Sequence, residues 1–366
     1  MTSNAAKNPR ITCAAQVGES CPPYARKEIL GQIAYRMETK VRLKGNQRNM
    51  TKLPILLVSG ASGGLGQLVL QNLLDRYCID PTRIIAVTRS PAKLSEFAAR
   101  GIAVRAGDFD KSEGLVEAFS DADRLLLIST DADPLQSYLD DVDPMGDPNR
   151  RRVRRQAAEA AGVAHIIYTS APNPEPPTVC FWKRDHFRTE QAIRESSMSW
   201  SMLRNWEYPD FHLAYSWAQA VASGHYLAGS GAGRCAFITR KDCAHAAAAA
   251  LASDFSGKRV FNITGARTYC MDEVLALIAE INGREIEVTH VSPAEMRRRL
   301  TERGEDLAPV FTAFHEGMGL GKYDCVSFDF EALTGTTPGS LEDFLRANPV
   351  TEEQTNVVFR FADLNS

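Results

Sequence analysis

Residues 57–66 read LVSGASGGLG (Leu57–Gly66), with three glycines, Gly60, Gly63 and Gly66, spaced three apart directly after an apolar run. Glycine weakens regular structure and is favoured where a backbone turns sharply or comes close to another group. Something approaches this backbone, and the flanking residues say what.

An apolar run, Ile55–Ser59, leads into the turn, and an amphipathic pattern over Gly66–Arg76 leaves it. The alternation then repeats. Strands are expected at Arg83–Thr88, Ala103–Arg105, Arg124–Ile128, His165–Thr169 and Ser199–Leu203. Helices are expected at Pro91–Arg100, Ser112–Phe119, Arg151–Ala161 and Arg188–Arg194. Strands alternating with helices of this length build a parallel sheet covered on both faces, so the fold class is α/β, a Rossmann-type doubly wound sheet.

Past residue 210 the pattern loosens, with a glycine-rich stretch, GHYLAGSGAGRCAF, at 224–237 and helices near Asp242–Leu251, Met271–Ile281 and Ala294–Leu300. The expected organisation is a nucleotide-binding domain over 53–210 and a smaller mixed α/β substrate lobe over 211–366, interleaved with it. Residues 1–52 stand apart, carrying ten Lys or Arg against three Glu. They read as a flexible or partly helical extension, with a nucleic-acid arm or a transit peptide as the other readings of such a charge pattern.

Composition limits the remaining choices. A formal net charge of −3 over 366 residues gives no global footprint for nucleic acid or an anionic membrane. The eight cysteines form no C-x-x-C pair, which argues against a disulfide framework or a zinc site, and no run is long and apolar enough for a spanning helix. The chain reads as a soluble, cytoplasmic protein with reduced thiols. The segment 131–151 carries six Asp and three Pro without EF-hand spacing, so no metal is expected and the segment reads as a loop beside the cofactor groove.

Between a first strand and its helix, the glycines allow a tight turn, contact between a pyrophosphate and backbone N–H groups, and close helix packing. The expected cofactor contacts there are Gly60, Ser62, Gly63, Gly64, Leu65 and Gly66. At the end of the second strand, where an NAD site offers a carboxylate to the ribose, the sequence has Thr88-Arg89-Ser90 followed by Lys93. A guanidinium suits a 2′-phosphate, so NADPH is favoured over NADH; the competing account makes Arg89 a surface cap. Asp108 and Phe109 follow the third strand, beside the adenine, with an N-cap as the other role for Asp108. Ser129 and Thr130 follow the fourth, beside the nicotinamide ribose.

The stretches LVSGASGGLGQLVLQNLL, AVTRSPAKL, GDFD, DRLLLIST, AAGVAHIIYTSA, RTEQAIRES, WSMLRNWEY and TGTTPGSLEDFL occur in this order between Leu53 and Leu345. Together they resemble the NmrA-like group of atypical short-chain dehydrogenases, most closely its NAD(P)H:quinone oxidoreductase and triphenylmethane-dye or azo reductase branch. Members of that group bind NADPH, and many lack the Tyr-x-x-x-Lys pair of ordinary short-chain dehydrogenases. No Tyr in this chain is followed four residues later by Lys.

The resemblance implies a His or Lys just before the helix leading to the sixth strand, which places His186 in that role with Lys183 one turn away. Tyr168, Thr169 and Ser170 end the fifth strand, where a hydroxyl is expected to face the nicotinamide amide or the substrate, and Tyr168 and Ser170 complete the expected catalytic set. The resemblance also implies a substrate wall from Trp182, Asn205, Trp206 and Tyr208, whose aromatic faces suit a flat ring. The proline-rich loop at 172–182 and the Asp-rich insertion depart from the group's pattern, so the cofactor carries over more directly than the substrate. The implied activity is hydride transfer from NADPH to a planar conjugated acceptor: a quinone, dye, enone or aromatic metabolite. An NADP-sensing regulator without turnover, and a redox-neutral isomerase or lyase, are the other readings. The partners expected are a planar or aromatic small molecule and a second copy in a homodimer, with neither nucleic acid nor membrane.

Overall fold

The strand LLVS, β1 (Leu56–Ser59), and the strand IIAVT, β2 (Ile84–Thr88), are buried at every position. Parallel strands covered on both faces read as continuous apolar runs for this reason. The computed structural model describes residues 53–109, 114–129, 155–176, 178 and 180–351, apart from the side chains at 181 and 182. The further strands are β3 (Ala103–Ala106), β4 (Arg124–Leu127), β5 (His165–Ser170), β6 (Ser199–Asn205), β7 (His225–Ala228), β8 (Arg234–Cys235), β9 (Lys258–Ile263), β10 (Tyr269–Cys270) and β11 (Glu287–His290).

Seven strands form one sheet in the order β3-β2-β1-β4-β5-β6-β9, each pair parallel. The chain runs outward from β1 through β2 to β3 and then restarts at β4 on the other side of β1. That reversal opens a crevice at the carboxyl ends of β1 and β4, the place where open α/β sheets bind ligands. Two small pairs, antiparallel β8 with β10 and parallel β7 with β11, lie outside this sheet.

Alternate residues of each strand feed separate cores. Leu56, Val58, Ile84, Ala86, Leu126, Ile167 and Leu203 pack on one face against Val69, Leu70, Leu73 and the alanines of the Arg240–Ala252 helix. Leu57, Ile85, Val87, Leu125, Leu127, Ile166, Tyr168 and Met202 pack on the other, with Phe119, Ile193 and Trp200. This is the two-residue period of a strand read in space.

The Arg240–Ala252 helix, RKDCAHAAAAALA, is nearly uniformly buried and lies against the Gly64–Gln71 helix. Its short side chains allow that close approach. Arg124, at the start of β4, ends it: the guanidinium donates to the carbonyls of Leu251 (2.9 Å), Ala250 (3.0 Å) and Phe255 (2.9 Å). A buried cation on the last helical carbonyls satisfies acceptors the helix itself cannot. Burial lowers the Arg124 pKa to about 10, which leaves it charged at neutral pH.

Three sequence expectations change. The helix before β6 begins at Phe181, a full two turns before the expected Arg188, so Lys183 and His186 lie inside it. The helix expected from Ser112 is described over Leu115–Phe119, with Gly114 as its N-cap, and residues 110–113 lie outside the described residues. Residues after 210 return to the main sheet as β9, its edge strand beside β6. The extension 1–52 and the segment 131–151 lie outside the described residues. Among the described residues no helix is long and apolar enough to cross a membrane, and no cluster of His, Cys, Asp and Glu forms a metal site.

Candidate functional site

The glycine turn connects β1 to the Gly64–Gln71 helix at the carboxyl edge. Gly60 has a φ of +64°, a conformation that L side chains rarely adopt. Gly66 has no room for a side chain: a Cβ there would lie 2.5 Å from the Gly60 carbonyl oxygen and 2.7 Å from Ala61 Cα. Gly63 is tighter than usual, with a Cβ position 3.4 Å from the Gly60 oxygen, whereas Gly63 and Gly64 are both exposed.

The turn is tied on both sides. The Ala61 N–H donates to the Val87 carbonyl (3.1 Å), and Ser62 Oγ and Thr88 Oγ1 share a hydrogen bond of 2.6 Å. Ser59 Oγ donates to the Leu126 carbonyl (3.1 Å) and accepts from the Ile128 N–H (3.3 Å), fixing β1 against β4. The first helical hydrogen bond runs from the Gln67 N–H to the Gly63 carbonyl (2.9 Å). The amides of Gly64, Leu65 and Gly66 therefore head the helix without partners inside it. An amide-rich turn of this shape fits a pyrophosphate.

At the end of β2, Arg89 and Lys93 are exposed, and neither enters an ion pair among the described residues. Asp108 and Phe109 follow β3 half-buried, the Phe109 ring 6.5 Å from that of Phe119. After β4, the Ser129 N–H donates to Thr169 Oγ1 (2.8 Å), which in turn donates to Ser129 Oγ (3.2 Å). Thr169, one of the three hydroxyl residues expected at the end of the fifth strand, thus lies beside Ser129. Thr130 and the Trp182 side chain lie outside the described residues.

The residues expected to be catalytic fall into three environments. Tyr168 Oη and His186 Nδ1 share a hydrogen bond of 2.9 Å, the tyrosine ring being buried and the histidine half-exposed. Ser170 Oγ donates instead to Glu190 Oε1 (2.7 Å). The Glu190 carboxylate is buried and also accepts from Arg204 Nε (2.9 Å), Arg204 Nη2 (2.7 Å) and Arg194 Nη2 (3.1 Å). Burial alone would raise its pKa, but the Arg204 guanidinium and these hydrogen bonds hold it below the usual carboxylate value. Arg204 also reaches Glu175, tying the loop after β5 to β6. Lys183 points elsewhere: it is 2% exposed, its ammonium lies 3.9 Å over the Tyr323 ring, and burial lowers its pKa.

Past β6, Asn205 Nδ2 donates to Tyr208 Oη (2.8 Å). The Trp206 ring is buried, with its indole N–H donating to the Tyr323 carbonyl (3.0 Å). Of the four aromatic and amide candidates, Asn205 and Tyr208 thus form one hydrogen-bonded unit, and Trp206 packs in the core.

The family model described as NAD(P)H-binding matches residues 60–254, which begin at the first glycine of this turn. Quinone oxidoreductase 2 of Escherichia coli is 28% identical over 68% of this chain and 82% of its own. An NmrA-like family domain-containing oxidoreductase of Aspergillus flavus is 30% identical over 65% of this chain and 75% of its own. Among solved structures, triphenylmethane reductase of Citrobacter sp. complexed with NADP(H) superposes with a TM-score of 0.70 and 29% identity, covering 80% of this chain and 99% of that one. A turn shaped for a pyrophosphate and the match that starts on it agree, and the chain belongs to the NAD(P)H-binding family, among its NmrA-like oxidoreductases.

Proposed function

We propose that the protein is an NADPH-dependent reductase that transfers hydride to a planar conjugated acceptor, with a quinone as the reference substrate. The observation that carries this reading is the 2.9 Å hydrogen bond between Tyr168 and His186, which places a titratable pair on β5 and the helix behind it. When bound, the reduced nicotinamide supplies the hydride, and the protein supplies orientation and proton transfer.

An imidazolium at His186 donates Nδ1–H to Tyr168 Oη and gives its Nε2 proton to the acceptor oxygen that gains charge. The ring ends neutral with the Tyr168 bond intact, so the tyrosine orients the histidine without changing its own protonation. Imidazole is the side chain best suited to such proton transfer at neutral pH. Ser129 and Thr169 bridge β4 and β5 where the nicotinamide ribose is expected, and Asn205 with Tyr208 forms the far wall. The preference for NADPH rests on Arg89 and Lys93, two exposed cations without an ion pair among the described residues, where an NADH site carries an acid. The six cysteines among the described residues are free thiols, compatible with a place in the cytoplasm.

The test is consumption of NADPH, followed by its absorbance, with benzoquinone, menadione and a triphenylmethane dye as acceptors. Turnover by the wild type and a large loss in His186→Ala are expected. Tight binding of NADPH with no consumption against any acceptor would replace this reading with a nucleotide sensor.

A further inference from the structure

We infer that Arg240 is a diphosphate clamp: its guanidinium closes over the glycine turn from the opposite side and binds the pyrophosphate shared by NADPH and NADH. The inference rests on the reading that this turn holds the dinucleotide. It adds a residue supplied from beyond residue 210.

The placement follows from the helix that carries it. Arg124 holds the carboxyl end of the Arg240–Ala252 helix at the amino edge of β4, so its amino end lies at the carboxyl edge of the sheet. The helix lies alongside Gly64–Gln71, which also begins at that edge. The first residues of the two helices meet there. Arg240 Nη1 is 3.6 Å, and its Cδ 3.9 Å, from the point a Cβ on Gly64 would occupy.

The Arg240 guanidinium forms no ion pair among the described residues, although two carboxylates stand near its backbone. Asp210 accepts from the Arg240 backbone N–H (3.0 Å), and Asp242 accepts from Thr239 Oγ1 (2.7 Å) and the Gly339 N–H (3.2 Å). On its other side the guanidinium carbon is 5.9 Å from the centre of the Tyr208 ring, whose hydroxyl Asn205 fixes. Two helix amino ends and the guanidinium thus meet beside the exposed Gly64, with Asp210 and Asp242 held by backbone and hydroxyl donors and neither paired with the guanidinium. Such an arrangement is favourable when a dianion sits between them.

The clamp predicts a particular binding pattern. Removing one charge-assisted contact to a phosphate weakens binding by about ten- to a hundredfold. Since NADPH and NADH share the pyrophosphate, Arg240→Met should weaken both by the same factor, while its aliphatic stem still covers Tyr208. Adenosine 2′-monophosphate lacks the diphosphate, so its affinity should not change. Arg89→Ala should do the reverse, weakening NADPH and adenosine 2′-monophosphate and sparing NADH. Arg240→Lys should recover part of the loss. Dissociation constants come from fluorescence titration of the full chain, with thermal melting to confirm that each variant is folded. Unchanged affinity for both dinucleotides in folded Arg240→Met, or a loss confined to NADPH and adenosine 2′-monophosphate, overturns the clamp. A wild-type chain that binds neither dinucleotide overturns the cofactor reading itself, a separate outcome visible before any variant is made.

Discussion

Gly66→Ala isolates the close packing of the first helix on the glycine turn. The added methyl would sit 2.5 Å from the Gly60 oxygen, 2.7 Å from Ala61 Cα and 2.8 Å from the Ala61 oxygen. All three atoms are backbone, so no side chain can rotate away and the helix must lift off the turn. Overpacking of this kind costs about 1–3 kcal/mol. Replacing glycine by alanine within a helix returns roughly 0.5–1 kcal/mol of that, leaving a net loss of about 0–2.5 kcal/mol in stability. Lifting the helix also moves the amides of Gly64, Leu65 and Gly66 away from the phosphate position, and each 1.4 kcal/mol lost in binding is about tenfold in affinity. Gly64→Ala is the matched control. Nothing lies within 3.6 Å of its Cβ position, and the nearest atom is the mobile end of Arg240. It should melt at or above the wild-type temperature, whereas Gly66→Ala should melt lower and bind NADPH at least tenfold more weakly. A Gly66→Ala protein with wild-type melting and wild-type NADPH affinity would refute the claim that backbone contact at this turn builds the cofactor site.

Three further outcomes follow from particular side chains. His165 and His315 are both held to a pKa of about 3, first by burial and then by a neighbouring charge, Arg124 for one and His212 for the other. The backbone N–H of Gly229 donates to His315 Nδ1 (3.3 Å), which requires that nitrogen to be unprotonated. Their folded values lie below an unfolded value of about 6.5, so their contribution is complete above that pH and is lost as pH falls toward 3, by up to about 1.4 kcal/mol per unit for each. Urea midpoints across that range should fall steeply in the wild type and less steeply in His165→Asn; equal slopes would reject the assignment. Arg124→Met leaves the helix-end carbonyls of Ala250 and Leu251, and that of Phe255 beyond them, without their donor and should cost about 2–4 kcal/mol in urea unfolding, with binding of NADPH by the surviving folded fraction preserved. His186→Ala should lower kcat by about a hundred- to ten-thousandfold with a small change in NADPH affinity, and Tyr168→Phe should lower it by less; a reductase unaffected by both changes would remove the pair from the mechanism.

The sheet was legible because its strands carry their signal locally. Leu56–Ser59 and Ile84–Thr88 are apolar on both faces, and a run of that kind beside a glycine turn has few other uses. The helix Phe181–Arg194 was read as starting late because its first turns hold Lys183, Arg184, Asp185 and His186, which hide the apolar period just after a proline-rich loop. The strand β9 was missed for a different reason. Lys258–Ile263 mixes Lys258, Arg259 and Asn262 with its apolar residues, and nothing within it records that the chain returns to pair with β6. Sequence periodicity specifies which face of an element is apolar, and partner choice is settled by the rest of the chain.

The candidate site divides in the same way. Glycines, strand-end hydroxyls and the basic residues after β2 announce themselves because their chemistry follows from position along one strand-turn-helix unit. Glu190 with Arg204, Lys183 with Tyr323, and Arg240 with Gly64 join segments that are far apart in the sequence. Each residue taken singly resembles an ordinary charged surface position. What distinguishes them is the physical problem each creates once placed. A carboxylate as buried as Glu190 requires cations and finds Arg204 and Arg194. A buried ammonium such as Lys183 requires electron density and lies over a ring. Arg240 forms no ion pair among the described residues, and the proposed clamp is what would give its guanidinium an anionic partner.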